Sequence, residues 1–214
     1  MHHRRHLCAA LVSGVMIVCA TFAVSAQDEG VKRIEQLIKK ANAQVQSVND
    51  AEQQLQKTMS AYNAVLAPDV KDRRSAYKKL QQEMATSEKK RAEVSSRSME
   101  MNADADQLFK SWEGSTAAIQ NADLKQRSEV RLNQTRDRFA ELRQIGQNAS
   151  DLYTPFMKTL QDQVTYLGHD LNPGAVASLK PDADRLNAEA KVLFEAIGKV
   201  TSAASANIAK LSAE

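Results

Sequence analysis

Four histidines, two cysteines and several close carboxylate pairs are the residues of this chain that could do bond chemistry. Cys8, Cys19 and all histidines but His169 lie at the very start of the chain. A Ser-His-Asp triad would therefore have to use His169. Asp170 is its sequence neighbour, yet adjacent positions on a helix point to different faces. His169 instead suits the last turn of a helix, where the dipole favours an imidazolium. Zinc needs clustered cysteine and histidine, which are missing beyond the start of the chain. A di-iron bundle needs Glu three residues before His, and His169 has none there. Asp104 with Asp106, and Asp182 with Asp184, diverge at a spacing of two on a helix. The second pair suits the helical turn after Pro181 better than it suits a cation. No glycine-rich loop could cradle a phosphate. The expectation is no catalytic residue, no metal, no cofactor and no enzyme.

One block could bind by charge. Residues 71–97 carry nine basic against four acidic side chains. Lys71, Arg73, Arg74, Lys78, Lys79, Lys89 and Lys90, with Arg91 and Arg97, would suit an anionic lipid, an acidic envelope polymer or an acidic protein. They would equally suit the solvated face of a long helix. Nucleic acid is not expected, since Tyr77 alone interleaves with the charges. Trp112, the single tryptophan, falls on an apolar register and reads as packing. Ser87, Arg91, Ser98, Thr135 and Gln163 fall on apolar seams, where polar side chains weaken packing but can set register or choose a partner.

The elements that carry these residues begin with an address. Residues 1–6 read MHHRRH, a basic start. An uncharged apolar run follows, and Ala23-Val24-Ser25-Ala26 offers the small residues of a cleavage site. That order is a secretory signal peptide over 1–26, cleaved after Ala26. An uncleaved membrane anchor is the competing reading, because the apolar run is long. Cleavage would remove both cysteines and Arg4 and Arg5, leaving 27 basic against 26 acidic residues. The rest, 27–214, reads as one domain without disulfides, held by packing alone. It shows no apolar run long enough to span a membrane.

Composition then sets the class. Only 5% of the 214 residues are aromatic, with seven Gly and four Pro. A turn-rich sheet protein needs more of the last two. The apolar periodicity is helical in four segments. Ile34, Ile38, Ala41, Val45, Val48, Leu55, Met59, Tyr62 and Leu66 define the first, ended by Pro68. The second runs from about Asp72 to Glu113 or beyond, a rod of roughly 60 Å. The third runs from about Leu124 to Leu171, with a kink expected near Pro155. Leu132, Phe139, Leu142, Gly146, Ala149, Tyr153, Phe156, Leu160 and Leu167 line it. Asn172 as N-cap and Pro173 at the first turn open the fourth, where Pro181 allows a short helix before a longer one. Residues 99–123 carry a net charge of −4 and residues 125–143 a net of +3. An antiparallel hairpin turning near residue 120 lays these blocks side by side.

Residues 76–200 resemble a bacterial family known as domain of unknown function 2959. Tyr77, Leu80, Ser87-Glu88, Met99-Glu100, Leu108-Phe109, Trp112-Glu113, Thr135, Leu142, Pro155-Phe156 and above all DQVTYLGHDLNPGAVASL at residues 162–179 carry the likeness. The resemblance implies an exported helical coiled-coil protein of Gram-negative bacteria with no assigned activity and no functional residues to transfer. Gly168, Asp170, Pro173 and Pro181 depart from the family's pattern and argue against a smooth corner between the third and fourth helices.

The reading is an all-α, elongated antiparallel bundle of about four long helices with coiled-coil character. Its expected place is the periplasm, and its expected work is scaffolding or interaction with a protein partner, including a second copy of itself. The alternative is a periplasmic holdase-type chaperone, with basic arms and flexible methionines (Met59, Met84, Met99, Met101, Met157) receiving unfolded envelope proteins.

Overall fold

The structure is a computed structural model that describes the backbone of residues 21–213 and the side chains of residues 31–212. The leader expected over 1–26, with its cleavage site, lies outside the described residues except for the backbone of 21–26. Five helices account for nearly all that is described: α1 (Thr21–Leu66), α2 (Arg73–Ala117), α3 (Ala122–His169), α4 (Pro173–Ser178) and α5 (Lys180–Ala213). Four are long, and no strand occurs among the described residues. With 45 residues, α2 is a rod of about 68 Å. The bundle is all-α, as the periodicity requires.

Each corner is built from local chemistry. Pro68 ends α1, and Asp72 restarts the chain by accepting the Ser75 N–H at 2.9 Å. Arg73 then folds back on the end of α1, donating to the carbonyls of Val65 and Ala67 at 3.0 Å each. Those carbonyls have no partner within the helix, so a cation is well placed there. Asn121 caps α3 by accepting the Leu124 N–H at 3.1 Å. Pro155 sits inside α3, which continues through it as one helix. After His169 the corner is broken, as its prolines imply. Asn172 caps the six-residue α4 with Pro173 in its first turn. Leu179 links α4 to α5, and Pro181 falls in the first turn of α5, where its missing N–H costs nothing.

The long helices alternate in direction and form a ring: α2 packs on α1, α1 on α5, α5 on α3 and α3 on α2. The α1–α2 contact is the most extensive and the α2–α3 contact the thinnest of the four. Small side chains (Ser47, Ala51, Ser87) let α1 and α2 approach. Polar bonds then set their register. Gln54 donates to the Glu83 carboxylate at 2.6 Å, and the Thr58 and Ser87 hydroxyls bond at 2.8 Å. Across the ring the Tyr62 hydroxyl donates to Gln163.

The apolar stripes do not merge into one core. One cluster closes the end that holds the α1–α2 and α3–α5 corners; Tyr62, Leu80, Leu160, Leu167, Leu186 and Leu193 are its deepest members. A second, smaller cluster lies toward the other end, around Leu37, Ala105, Leu108, Phe109, Leu132 and Phe139. Phe109 and Phe139 meet there edge to face at 5.8 Å. The expected charged hairpin is present beside it: Arg136 reaches Glu113 at 3.1 Å and Arg143 reaches Asp106 at 2.7 Å.

Candidate functional site

Between the two clusters the four long helices form a cavity of about 510 Å³ that is open to solvent between α2 and α3, where Ser95, Met99, Gln147 and Ser150 are exposed. Residue size explains it. On the stretches that line it, α2 offers Ser87, Ser95 and Ser98, and α3 offers Gly146, Ala149 and Ser150. These side chains are too short to meet across the thin α2–α3 contact. A Cβ added to Gly146 would find no atom within 4 Å. Apolar groups supply much of the remaining wall: Val45 and Val48 from α1, Leu142 from α3, Ile197 and Val200 from α5. All five are buried or half-buried.

Two of the lining residues carry a polar atom that has no partner and is closed off behind the wall. Gln44 is 9% exposed, and its Nε2 donates to the Val94 carbonyl at 3.1 Å. Its Oε1 is buried and accepts nothing. The Tyr153 hydroxyl is likewise buried and unpaired. Burial raises the Tyr153 pKa above the ordinary phenol value; Glu88 adds to the rise and Arg91 opposes it. The group stays a neutral phenol. Arg91 lies over the Tyr153 ring, its guanidinium carbon 5.6 Å from the centroid. Together they form the wall between the cavity and an outer groove of about 850 Å³ along α2 and α3. Tyr77, Met84, Met157 and Val164 floor that groove, and His169 lies at its end.

The expected basic face is divided by the fold. Lys71, Arg74, Lys78, Lys79 and Lys89 are exposed. Arg73 is half-buried and spent on the α1 carbonyls. Lys90 sits between Asp50 at 3.6 Å and Glu93 at 3.3 Å, and Arg97 bonds Glu93 at 3.0 Å. Lys90 foremost, then Arg97, holds the Glu93 carboxyl below its usual range. The seam residues go to different ends. Ser87 bonds Thr58, Gln163 bonds Tyr62, and Thr135 donates to the Arg131 carbonyl at 2.9 Å. Ser98 and Arg91 line the cavity. Trp112 is half-buried against the smaller cluster, and its indole N–H donates to Ser128 at 3.0 Å. His169, the last residue of α3, is exposed.

Gln44, Gly146 and Tyr153 carry no binding signal in the sequence. Gly146 and Tyr153 stand in the α3 stripe as ordinary core positions. The signal that marks them is a run of small residues on two facing stripes.

Among the described residues no group of three or more His, Cys, Asp and Glu could hold a metal ion, and no helix is long and apolar enough to cross a membrane. The family described as "Protein of unknown function (DUF2959)" matches residues 24–211. The chain belongs to that family. The match extends beyond the 76–200 stretch in both directions and takes in all four faces of the cavity. Neither the curated proteins nor the solved structures contain a match to the chain.

Proposed function

We propose that this DUF2959 chain is an exported, non-enzymatic binding protein of the bacterial periplasm, and that the α2–α3 side of its bundle is the working face. The observation that carries the reading is the thin α2–α3 contact, with a cavity inside it and a groove outside it. Bundle cores and the clefts between helices are where such folds place ligands. The leader-like order of residues 1–26 supports export. The exposed cations Lys71, Arg74, Lys78, Lys79 and Lys89 favour an anionic partner, either an acidic protein, an envelope polymer or lipid.

Two measurements test it. Osmotic shock should release a chain whose mass begins at Gln27. A photo-crosslinking residue at Gln81 or Gln161, in the groove, should give a discrete adduct in cells that the same residue at Lys191, on the α5 surface, does not. Adducts of equal pattern from both sides, or a chain retained in the cytosol, would overturn the proposal. A holdase role has one observation in its favour: Met99 lines the cavity yet is 65% exposed. Suppression of aggregation by the purified chain, lost in Met99→Ser, would distinguish that role.

A further inference from the structure

The mid-bundle cavity has a shape that selects among occupants. Its lining on α1 runs from Leu37 to Leu55, a rise of about 27 Å. A volume of about 510 Å³ is on the order of one long hydrocarbon chain, whereas a helix about 10 Å wide would fill roughly 2,000 Å³ over the same rise. The wall is mainly apolar, so water gains few partners along it. A single hydrocarbon chain matches both the length and the volume.

The polar groups say where the head of such a molecule lies. Gln44 Oε1 on the α1–α2 side and the Tyr153 hydroxyl on α3 are unpaired but closed off behind the lining, so neither receives a ligand atom. Arg91 stands where the cavity meets the outer groove. Among the described residues it has no carboxylate partner; its neighbour is the face of Tyr153. Arg143, the other cation of the lining, is already held by Asp106 and by Asn102 at 3.0 Å. One guanidinium is thus available for an anion at the mouth of the cavity.

We propose that the cavity binds a single-chain anionic amphiphile of the fatty-acid or lysophospholipid class. Its chain lies between the two core clusters, and its carboxylate or phosphate sits between α2 and α3 against Arg91. The inference rests on the reading of the α2–α3 side as the working face and names what that face takes in.

The test uses the purified chain and cis-parinaric acid, a fatty acid that fluoresces when its chain leaves water. Binding should be saturable. Oleate or lysophosphatidylglycerol should displace it, and whichever acts at lower concentration names the source. A long-chain trimethylammonium should not displace it. Gly146→Leu should abolish binding while melting no lower than the parent, because its side chain enters open space. Ala204→Leu fills the same cavity from α5 and repeats the test on a second helix. Arg91→Gln should weaken parinarate by about tenfold, the worth of one charge-assisted contact, and leave a long-chain alcohol unaffected. No fluorescence gain with the folded parent, undiminished binding by folded Gly146→Leu, or equal displacement by the cation would overturn the proposal. If groove crosslinks persist in cells while no amphiphile binds, this inference fails and the broader binding reading stands. If amphiphile binds while the crosslinks show no side preference, the reverse holds.

Discussion

The corner end of the bundle and its middle are built on the same four helices, yet one is solid and the other hollow. At the corner end, α1, α2, α3 and α5 contribute Tyr62, Leu80, Leu160 and Leu186, all fully buried. Roughly 20 Å along the same rods, the corresponding faces carry Ala51, Ser95, Gly146 and Val200. Backbone geometry does not change between the two; side-chain volume does. A helical bundle whose ends are sealed can therefore keep a lined space in its centre, because each end fixes the spacing of the rods independently. Hollow and solid regions should answer mutation in opposite ways, which makes the comparison breakable.

The largest difference is expected from truncation. Leu160→Ala at the solid end should cost about 2–5 kcal/mol in urea unfolding, since it opens a new void. Leu142→Ala, half-buried on the cavity wall, should cost less than half as much, because the space already exists. Equal costs would mean that the middle is packed. The tyrosines give the next contrast. Tyr62→Phe leaves Gln163 without its donor and should cost about 1–3 kcal/mol. Tyr153→Phe removes a hydroxyl that has no partner and should be neutral or stabilising.

The same two phenols set the alkaline limit. Burial, with smaller contributions from Asp182 and Asp184, raises the Tyr62 pKa above its ordinary 10.0, and Tyr153 is raised chiefly by burial as well. In the unfolded chain both ionise first as pH rises. The unfolded state then binds fewer protons, so stability present below pH 10.0 should be lost progressively above it. Replacing both tyrosines with Phe should flatten that loss, read from melting temperatures across the alkaline range.

Glycine offers a contrast of about 1 kcal/mol. Gly146→Ala should raise stability by that amount through helix propensity, for its Cβ meets nothing. At Gly168 a Cβ would lie 2.6 Å from the Tyr77 hydroxyl, which donates to the Val164 carbonyl at 3.0 Å. Gly168→Ala should therefore lose that bond, and because Gly168 is the penultimate residue of α3 its propensity gain is too small to offset the loss, so the two alanines differ in sign. Smallest of all, Arg143→Ala breaks an exposed pair with Asp106 and should cost no more than about 1 kcal/mol.

Much of this architecture is legible in the amino-acid sequence. The apolar registers place α1, α2, α3 and α5, and Asn172 with Pro173 marks the start of α4 by capping chemistry that acts over three residues. The opposed charge blocks foretell the α2–α3 pairing that Arg136 and Arg143 make. The cavity is not legible there, because periodicity records which positions face inward and not how far their side chains reach. Gly146, Ala149 and Tyr153 count alike on a stripe, although they differ several-fold in volume. The basic block misleads for a related reason. Charge is visible in a sequence, but the rotation that turns Arg73 onto the α1 carbonyls and Arg91 toward Tyr153 depends on the neighbouring helix.

Hydrogen–deuterium exchange along the purified chain, resolved by peptide, tests the hollow middle most directly. Amides of residues 87–102 and 139–153 should exchange markedly faster than those of residues 76–84 and 156–167, and oleate should slow the first pair while leaving the second unchanged. Uniform protection from one end of α2 and α3 to the other, indifferent to oleate, would contradict it.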